Sequence, residues 1–389
     1  MNAIPYGRHD INQTDIDAVN AVLKSDFLTQ GSRVPEFEGV ISKFCGAQYS
    51  VAVNSATSAL HIACLSLEIG VGDCVWTSPI TFVATANCVL YCGATVDFVD
   101  IDPVTYNLSV DRLAEKLSEA KKVGQLPKAV IAVHFAGQSC DMLGIHTLSL
   151  QYGFTIIEDA SHAIGGKYKS EQIGNCRYSD ITVFSFHPVK IITTGEGGMA
   201  TTNNKNLATR MRQLRSHGIV SLESELQPSD KTEIWNYQQI GLGFNYRLTD
   251  IQAALGISQM QRLEEFIAKR HAIAQIYNQL LSALPVQIPV QHPDNYSSYH
   301  LYVIRLRTQS RNRTQREVYD SLRAANIQVN LHYIPVYRQP YYERFGFSRG
   351  YCLEAERYYS EAITIPIYSA LSEMQQTRVV LAIQEAVGI

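Results

Sequence analysis

No run of basic residues occurs in the 389-residue sequence, and its 33 Lys and Arg do not outnumber its 36 Asp and Glu. That balance, a formal net charge of -3, leaves no electrostatic footprint for nucleic acid. The N-terminus, MNAIPYGRHDINQTD, lacks the basic and apolar regions of a secretory signal, so no signal peptide is read. The most apolar run, FVATANCVLYCGATVDFV, is interrupted by Asn87, Gly93 and Asp97 and is no membrane span. The eight cysteines include no C-x-x-C pair. Cys88 and Cys92 could share a helix face, but two ligands do not complete a zinc site. Buried, reduced thiols are expected, and with them a soluble cytoplasmic protein. Also missing are G-x-x-x-x-G-K-[ST] and a G-x-G-x-x-G after a strand, the marks of P-loop and dinucleotide folds. GEGG at 195–198 is too short to replace either, and a nicotinamide dehydrogenase is left without its fingerprint.

What the sequence does contain is alternation. SVAVNS, DCVWTSP, ATVDFVD, KAVIAVHFAG, FTIIEDAS, DITVFSFH and GGMATT are short apolar runs between residues 50 and about 200. Amphipathic segments such as ATSALHIACLSLEIG separate several of them. The pattern predicts a seven-stranded, largely parallel sheet with helices on both faces. From residue 249 it changes: one long helix is read from the Thr249-x-x-Gln252 capping box to just before Pro285. Beyond it, HLYVIRL, a helix through TQREVYDSLRAAN and a last helix capped by Ser372-x-x-Gln375 suggest a small α+β unit. The expected division is therefore 1–248 and 249–389. The stretch 219–240 has no clean period and reads as a long loop.

Three stretches carry chemistry. Lys190 stands in SFHPVKIITTGEGG, with no acidic residue within five positions. It is either a surface loop lysine or an amine kept in a low-polarity site as a nucleophile. The turn Ser55-Ala56-Thr57-Ser58, between a strand and a helix, is either a simple N-cap or a phosphate seat. The strand FTIIEDASHA ends in Glu158 and Asp159, with His162 just after. Functional groups of open parallel sheets lie beyond the C-terminal strand ends, so these residues and Lys190 are expected in one cleft. A carboxylate there would favour a protonated ring nitrogen; spacing does not choose between Glu158 and Asp159. Imine-forming lysine, carboxylate and phosphate seat together describe a pyridoxal phosphate (PLP) site.

The order of LTQG (28–31), NSATSAL (54–60), TFVATAN (81–87), EDASHA (158–163), SFHPVK (185–190), TGEGG (194–198), RSHG (215–218), GFNYRLTDIQAALG (243–256) and HYIPVY (332–337) resembles the sugar-nucleotide aminotransferases of the DegT/StrS family. The resemblance covers essentially the whole chain and implies an α/β, aspartate aminotransferase-like fold (fold type I) with a small C-terminal α+β domain. It implies PLP as a Schiff base on Lys190, Asp159 against the pyridinium nitrogen, and His162 beside the ring. Phe82 would stack on that ring, and Ala56, Thr57 and Ser185 would contact the phosphate. Asn245 would arrive from the other subunit of a homodimer with shared active sites. Tyr6, Asp26, Phe27, Leu28, Thr29, Asn87, His332, Tyr333, Ile334 and Pro335 are implied substrate contacts. Pro188 departs from the small residue more usual before the lysine. The implied substrates are a UDP-4-keto sugar and L-glutamate. Two readings stay open: another nucleotide 4-keto sugar, of aminoarabinose or perosamine type, and a PLP-binding regulator without turnover.

Overall fold

In the computed structural model, residues 2–220, 235–307 and 313–388 are described. All seven expected strands form and join one sheet. They are β1 (Tyr49–Val53), β2 (Cys74–Thr77), β3 (Thr95–Phe98), β4 (Ala129–Val133), β5 (Thr155–Asp159), β6 (Ile181–Ser185) and β7 (Gly198–Thr202). Their spatial order is β1-β7-β6-β5-β4-β2-β3. β7 runs antiparallel to both its neighbours, and every other pairing is parallel. The reason is visible in the runs themselves: β4 and β6 are buried at every position, as strands covered on both faces must be. Helices α1 (Ala56–Ser66) and α2 (Ala84–Tyr91) follow β1 and β2 and bury most of their residues against the sheet.

A second sheet, antiparallel, is built from β8 (Val286–Gln287), β9 (Tyr302–Leu306) and β10 (Ala362–Ile365) in the order β8-β9-β10. It has its own apolar core, which Ile4 enters from the other end of the chain. Ile4–Pro5 pairs with Ile327–Gln328, so the N-terminal segment lies with these later elements.

The helix read as one from residue 249 is two: α3 (Asp250–Met260) and α4 (Leu263–Leu281). The capping box forms as expected, with Thr249 Oγ1 accepting from Gln252 N at 3.2 Å and Gln252 Oε1 accepting from Thr249 N at 3.1 Å. The break comes where the amides of Gln261 and Arg262 turn back to Ser258 and Gln259, tightening the last turn. Arg262 anchors the break by donating to Asp10 at 3.0 Å and lying over the Phe266 ring. Apolar positions continue into Leu263, Phe266 and Ile267, which is why the sequence pattern shows no interruption. Further along α4, the buried Arg270 donates to the carbonyls of Tyr299, His300 and Ile367, fastening the loop before β9.

The last helix, Glu373–Val387, has its Ser372/Gln375 capping box. Of the expected loop at 219–240, residues 221–234 lie outside the described residues; Ile219–Val220 pairs with Gln238–Gln239. All eight cysteines are free thiols, and six are buried. Among the described residues no helix is long and apolar enough to cross a membrane, and no group of His, Cys, Asp or Glu could hold a metal.

Candidate active site

β1, β5 and β6 end at the same edge of the sheet, and the chain just beyond each turns into a cavity of about 890 Å³. After β1, Ser55 caps α1 by accepting from Ser58 N at 3.1 Å. The turn is thus an N-cap, and it is also a wall: Ser55, Ala56, Thr57 and Ser58 all line the cavity. The first N–H groups of a helix have no partner within it, so this end presents donors and partial positive charge to the space. Gly198 makes the packing beneath possible. A Cβ there would fall 2.5 Å from the Ser55 carbonyl carbon and 2.6 Å from Ala56 N, so only glycine lets β7 pass under the turn. The GEGG stretch therefore serves backbone approach.

The choice that spacing left open between two carboxylates is made by strand alternation, which sends consecutive side chains to opposite faces. Glu158 turns inward, bonded to His134 Nε2 (2.6 Å), Ser179 Oγ (2.5 Å) and Thr182 Oγ1 (3.0 Å). Burial opposes its charge, but these bonds hold its carboxyl below the usual range. Asp159 lines the cavity. Its Oδ2 accepts from Thr85 Oγ1 (2.6 Å), and its Oδ1 accepts from Ser161 N (3.1 Å) and Ser161 Oγ (2.5 Å).

Ser185, the last residue of β6, and Lys190, just beyond it, line the same cavity. The turn is closed by Lys190 N donating to His187 O at 2.9 Å. Burial pushes the Lys190 ammonium down to about 8, and the charge of Asp159 offsets this only in part. His162 also lines the space; its Nε2 lies 3.1 Å from Tyr333 Oη, and its ring packs 4.4 Å from that of His300. Its Nδ1 is buried with no partner among the described residues. Burial, with Lys190 nearby, keeps His162 and His332 neutral, the latter pushed down to about 3. Phe82 is 59% exposed at the cavity wall, an unusual place for a phenylalanine with nothing to cover it.

Ten of the predicted site residues thus share one cavity: Tyr6, Ala56, Thr57, Phe82, Asp159, His162, Ser185, Lys190, His332 and Tyr333. The others are not among its lining. Asp26, Phe27, Leu28 and Thr29 are exposed, and their segment is tied to the start of α3 through Asp250 N to Leu28 O and the Thr29–Thr249 bridge. Asn87 accepts from Tyr342 Oη at 2.6 Å. Ile334 is exposed and Pro335 buried. Asn245 is exposed, with its carbonyl 3.5 Å from Nδ2 of the cavity residue Asn54. Thr81, Thr85 and Ser161 were not among the predicted residues. The Asp-x-Ser spacing of 159–161 carried one available signal, because serine two residues after aspartate can close a turn on its carboxylate.

Known proteins match this architecture from end to end. Residues 9–384 match the model of the DegT/DnrJ/EryC1/StrS aminotransferase family. The chain is 36% identical to the spore coat polysaccharide biosynthesis protein SpsC of Bacillus subtilis, over 99% of this chain and 97% of that protein. It is 37% identical to a UDP-4-amino-4,6-dideoxy-N-acetyl-beta-L-altrosamine transaminase of Campylobacter jejuni, over 95% and 93%. Among solved structures, Helicobacter pylori PseC, an aminotransferase involved in the biosynthesis of pseudoaminic acid, superposes with a TM-score of 0.89 at 29% identity, covering 99% of both chains. With its large mostly parallel sheet and strand-end cavity, the chain belongs to the DegT/DnrJ/EryC1/StrS aminotransferase family and is a sugar aminotransferase of that family's fold.

Proposed function

We propose that this enzyme moves the amino group of L-glutamate onto C4 of UDP-2-acetamido-2,6-dideoxy-β-L-arabino-hex-4-ulose. The products are UDP-4-amino-4,6-dideoxy-N-acetyl-β-L-altrosamine and 2-oxoglutarate, in pseudaminic acid biosynthesis. The observation that carries the reading is the convergence of Lys190, Asp159 and the N-terminus of α1 on one cavity. The acceptor is supported by the Campylobacter and Helicobacter relatives. SpsC, at nearly the same identity, favours a second reading in which the acceptor is a different nucleotide 4-keto sugar.

The lining fits pyridoxal 5'-phosphate. Donors at Ala56 and Thr57, with the Ser185 hydroxyl, suit its phosphate; Asp159 suits its ring nitrogen. The exposed ring of Phe82 and the unpartnered Nδ1 of His162 gain neighbours when the space is filled. Bound there, the cofactor supplies a carbonyl carbon that takes the amino group and a conjugated ring that delocalises electrons from the substrate carbon. Lys190 would hold it through its amine. The Nζ of Lys190 would also carry the proton at the substrate carbon, and burial sets its basicity close to what that task needs near neutral pH. Neutral His332 and Tyr333, with half-buried Tyr6, wall the cavity without adding competing charge.

The active site is shared within a homodimer, Asn245 of each chain reaching the cofactor phosphate of the other. Asn245 is exposed, as are Phe27, Leu28 and Leu242, which leaves them free to meet a second subunit. Eight free thiols suit a reducing compartment, and the cytoplasm is proposed as the location. The proposed division at 248/249 separates a cofactor-binding unit from a smaller C-terminal one, which Ile4–Pro5 joins from the start of the chain.

Incubation with glutamate and a panel of UDP-4-keto sugars, followed by product analysis, tests the assignment. Faster amination of any other sugar would replace the proposed acceptor. Borohydride reduction should fix a pyridoxyl mass on Lys190, and a label on a different lysine would sink the anchor assignment.

A further inference from the structure

The Asp159 carboxylate is held by two separate groups of donors. Its Oδ1 takes both donors of Ser161, while its Oδ2 takes the Thr85 hydroxyl at 2.6 Å. Thr85 in turn lies 2.7 Å from the hydroxyl of Thr81, and both threonines are buried at the cavity wall, 0% and 3% exposed. The direction of this chain follows from proton count. An ionised carboxylate only accepts, so the single proton of Thr85 is committed to Asp159. The bond between the threonines must then use the proton of Thr81. The hydroxyls therefore run one way, Thr81 to Thr85 to Asp159, and each link strengthens the next.

Rotation of the carboxylate would break the bonds on both of its oxygens at once. We infer that Thr85, polarised by Thr81, is a positioning residue for the transamination: it fixes the orientation in which Asp159 meets the cofactor ring. Ser161 sits two residues from Asp159 and turns with its own loop. Thr85 belongs to α2, which follows a different strand, and so supplies a reference point independent of that loop. The inference rests on the proposed PLP site, because an oriented carboxylate matters only if a ring nitrogen faces it.

The test uses wild type, Thr85→Val, Thr85→Ser and Thr81→Val, each loaded with PLP. Four quantities are read: the borohydride-fixed label on Lys190, the pH at which the bound cofactor's absorbance changes, and kcat and KM for the glutamate half-reaction. Thr85→Val should keep the label, move the absorbance transition, and lower kcat about ten- to a hundredfold with little change in KM, the range expected for a lost hydrogen bond to a charged group. Thr85→Ser should restore both readouts, since it keeps the hydroxyl and loses only a methyl. Thr81→Val, which leaves Asp159 untouched, should move the transition in the same direction by less. A labelled Thr85→Val that titrates and turns over like wild type overturns the inference. So does a Thr85→Ser as impaired as Thr85→Val, which would assign the effect to methyl packing. If Thr85→Val does not fold, an unshifted Thr81→Val overturns the polarised chain. A wild type without label on Lys190 instead overturns the cofactor reading beneath it, and the label separates the two failures.

Discussion

Glu158 and Asp159 are adjacent on one strand, carry the same charge and are each 5% exposed, yet they belong to different regions of the molecule. On the Glu158 side three donors from the protein meet the carboxylate, and His134, whose Nδ1 accepts from Cys140 N at 3.2 Å, completes a closed network. On the Asp159 side the protein's donors come from beside the carboxylate, which still faces an open cavity. The difference shows that equal burial and equal charge can go with opposite surroundings. Each accepts three bonds from the protein, and what separates the two is where they face, Glu158 into a closed network and Asp159 onto the cavity.

The comparison breaks most readily at Lys190, the open side's only lysine among the cavity-lining residues. Lys190→Ala should reduce turnover on the order of a thousandfold or more while leaving the fold intact, as measured by kcat beside a thermal melt. The same residue sharpens the contrast through pH in the cofactor-free protein. Its folded pKa, about 8, lies below its ordinary 10.5, so the unfolded chain binds the proton more tightly. Its cost to stability is full below pH 8 and vanishes as pH rises past 10.5. Lys190→Met should therefore be more stable than wild type at pH 7, by about 3 kcal/mol at most, and lose that advantage between those limits in denaturant titrations. Equal stability at every pH would mean that the amine is not strained by its site.

The two carboxylates should fail in opposite ways. Asp159→Asn is expected to lower kcat about a hundredfold, because it removes charge where the reaction needs it, with a small loss of stability. Glu158→Gln should cost about 2 kcal/mol of stability and leave turnover per folded molecule near wild type. An exchange of these phenotypes would show that the sides have been read the wrong way round. The smallest signal comes from co-expressing Lys190→Ala with Asn245→Asp. With shared sites, a mixed dimer keeps one intact site, and random pairing returns roughly a quarter of wild-type activity. Mixed dimers that are confirmed but inactive would place Asn245 with its own chain's cofactor.

The sheet was legible because strands covered on both faces are rich in apolar residues, as β4 and β6, buried at every position, show most clearly. The break at 261–262 was not, since the buried positions of α3 and α4 keep helical spacing across it while the cause, Asp10, lies far off in sequence. Lys190 could be singled out because its neighbours lack charge. The bond from Thr85 to Asp159 joins residues 74 positions apart, and nothing local in TFVATAN announces it. Choosing between Glu158 and Asp159 needed only the strand's facing, a one-residue register that an apolar run does not reveal by itself.

The order in which the strands lie makes the sheet a ruler. β1 and β5 stand three places apart, with β7 and β6 between them, so the strands that lead to the Ser55–Ser58 turn and to Asp159 are separated by roughly 14 Å of hydrogen-bonded spacing. No loop can lengthen or shorten that interval without breaking a ladder. Tyr6 and the segment 330–333 also line the cavity, but they come from chain outside this sheet. Selection for a different sugar can therefore redraw those walls residue by residue, while the graduations against which the chemistry is set stay where they are.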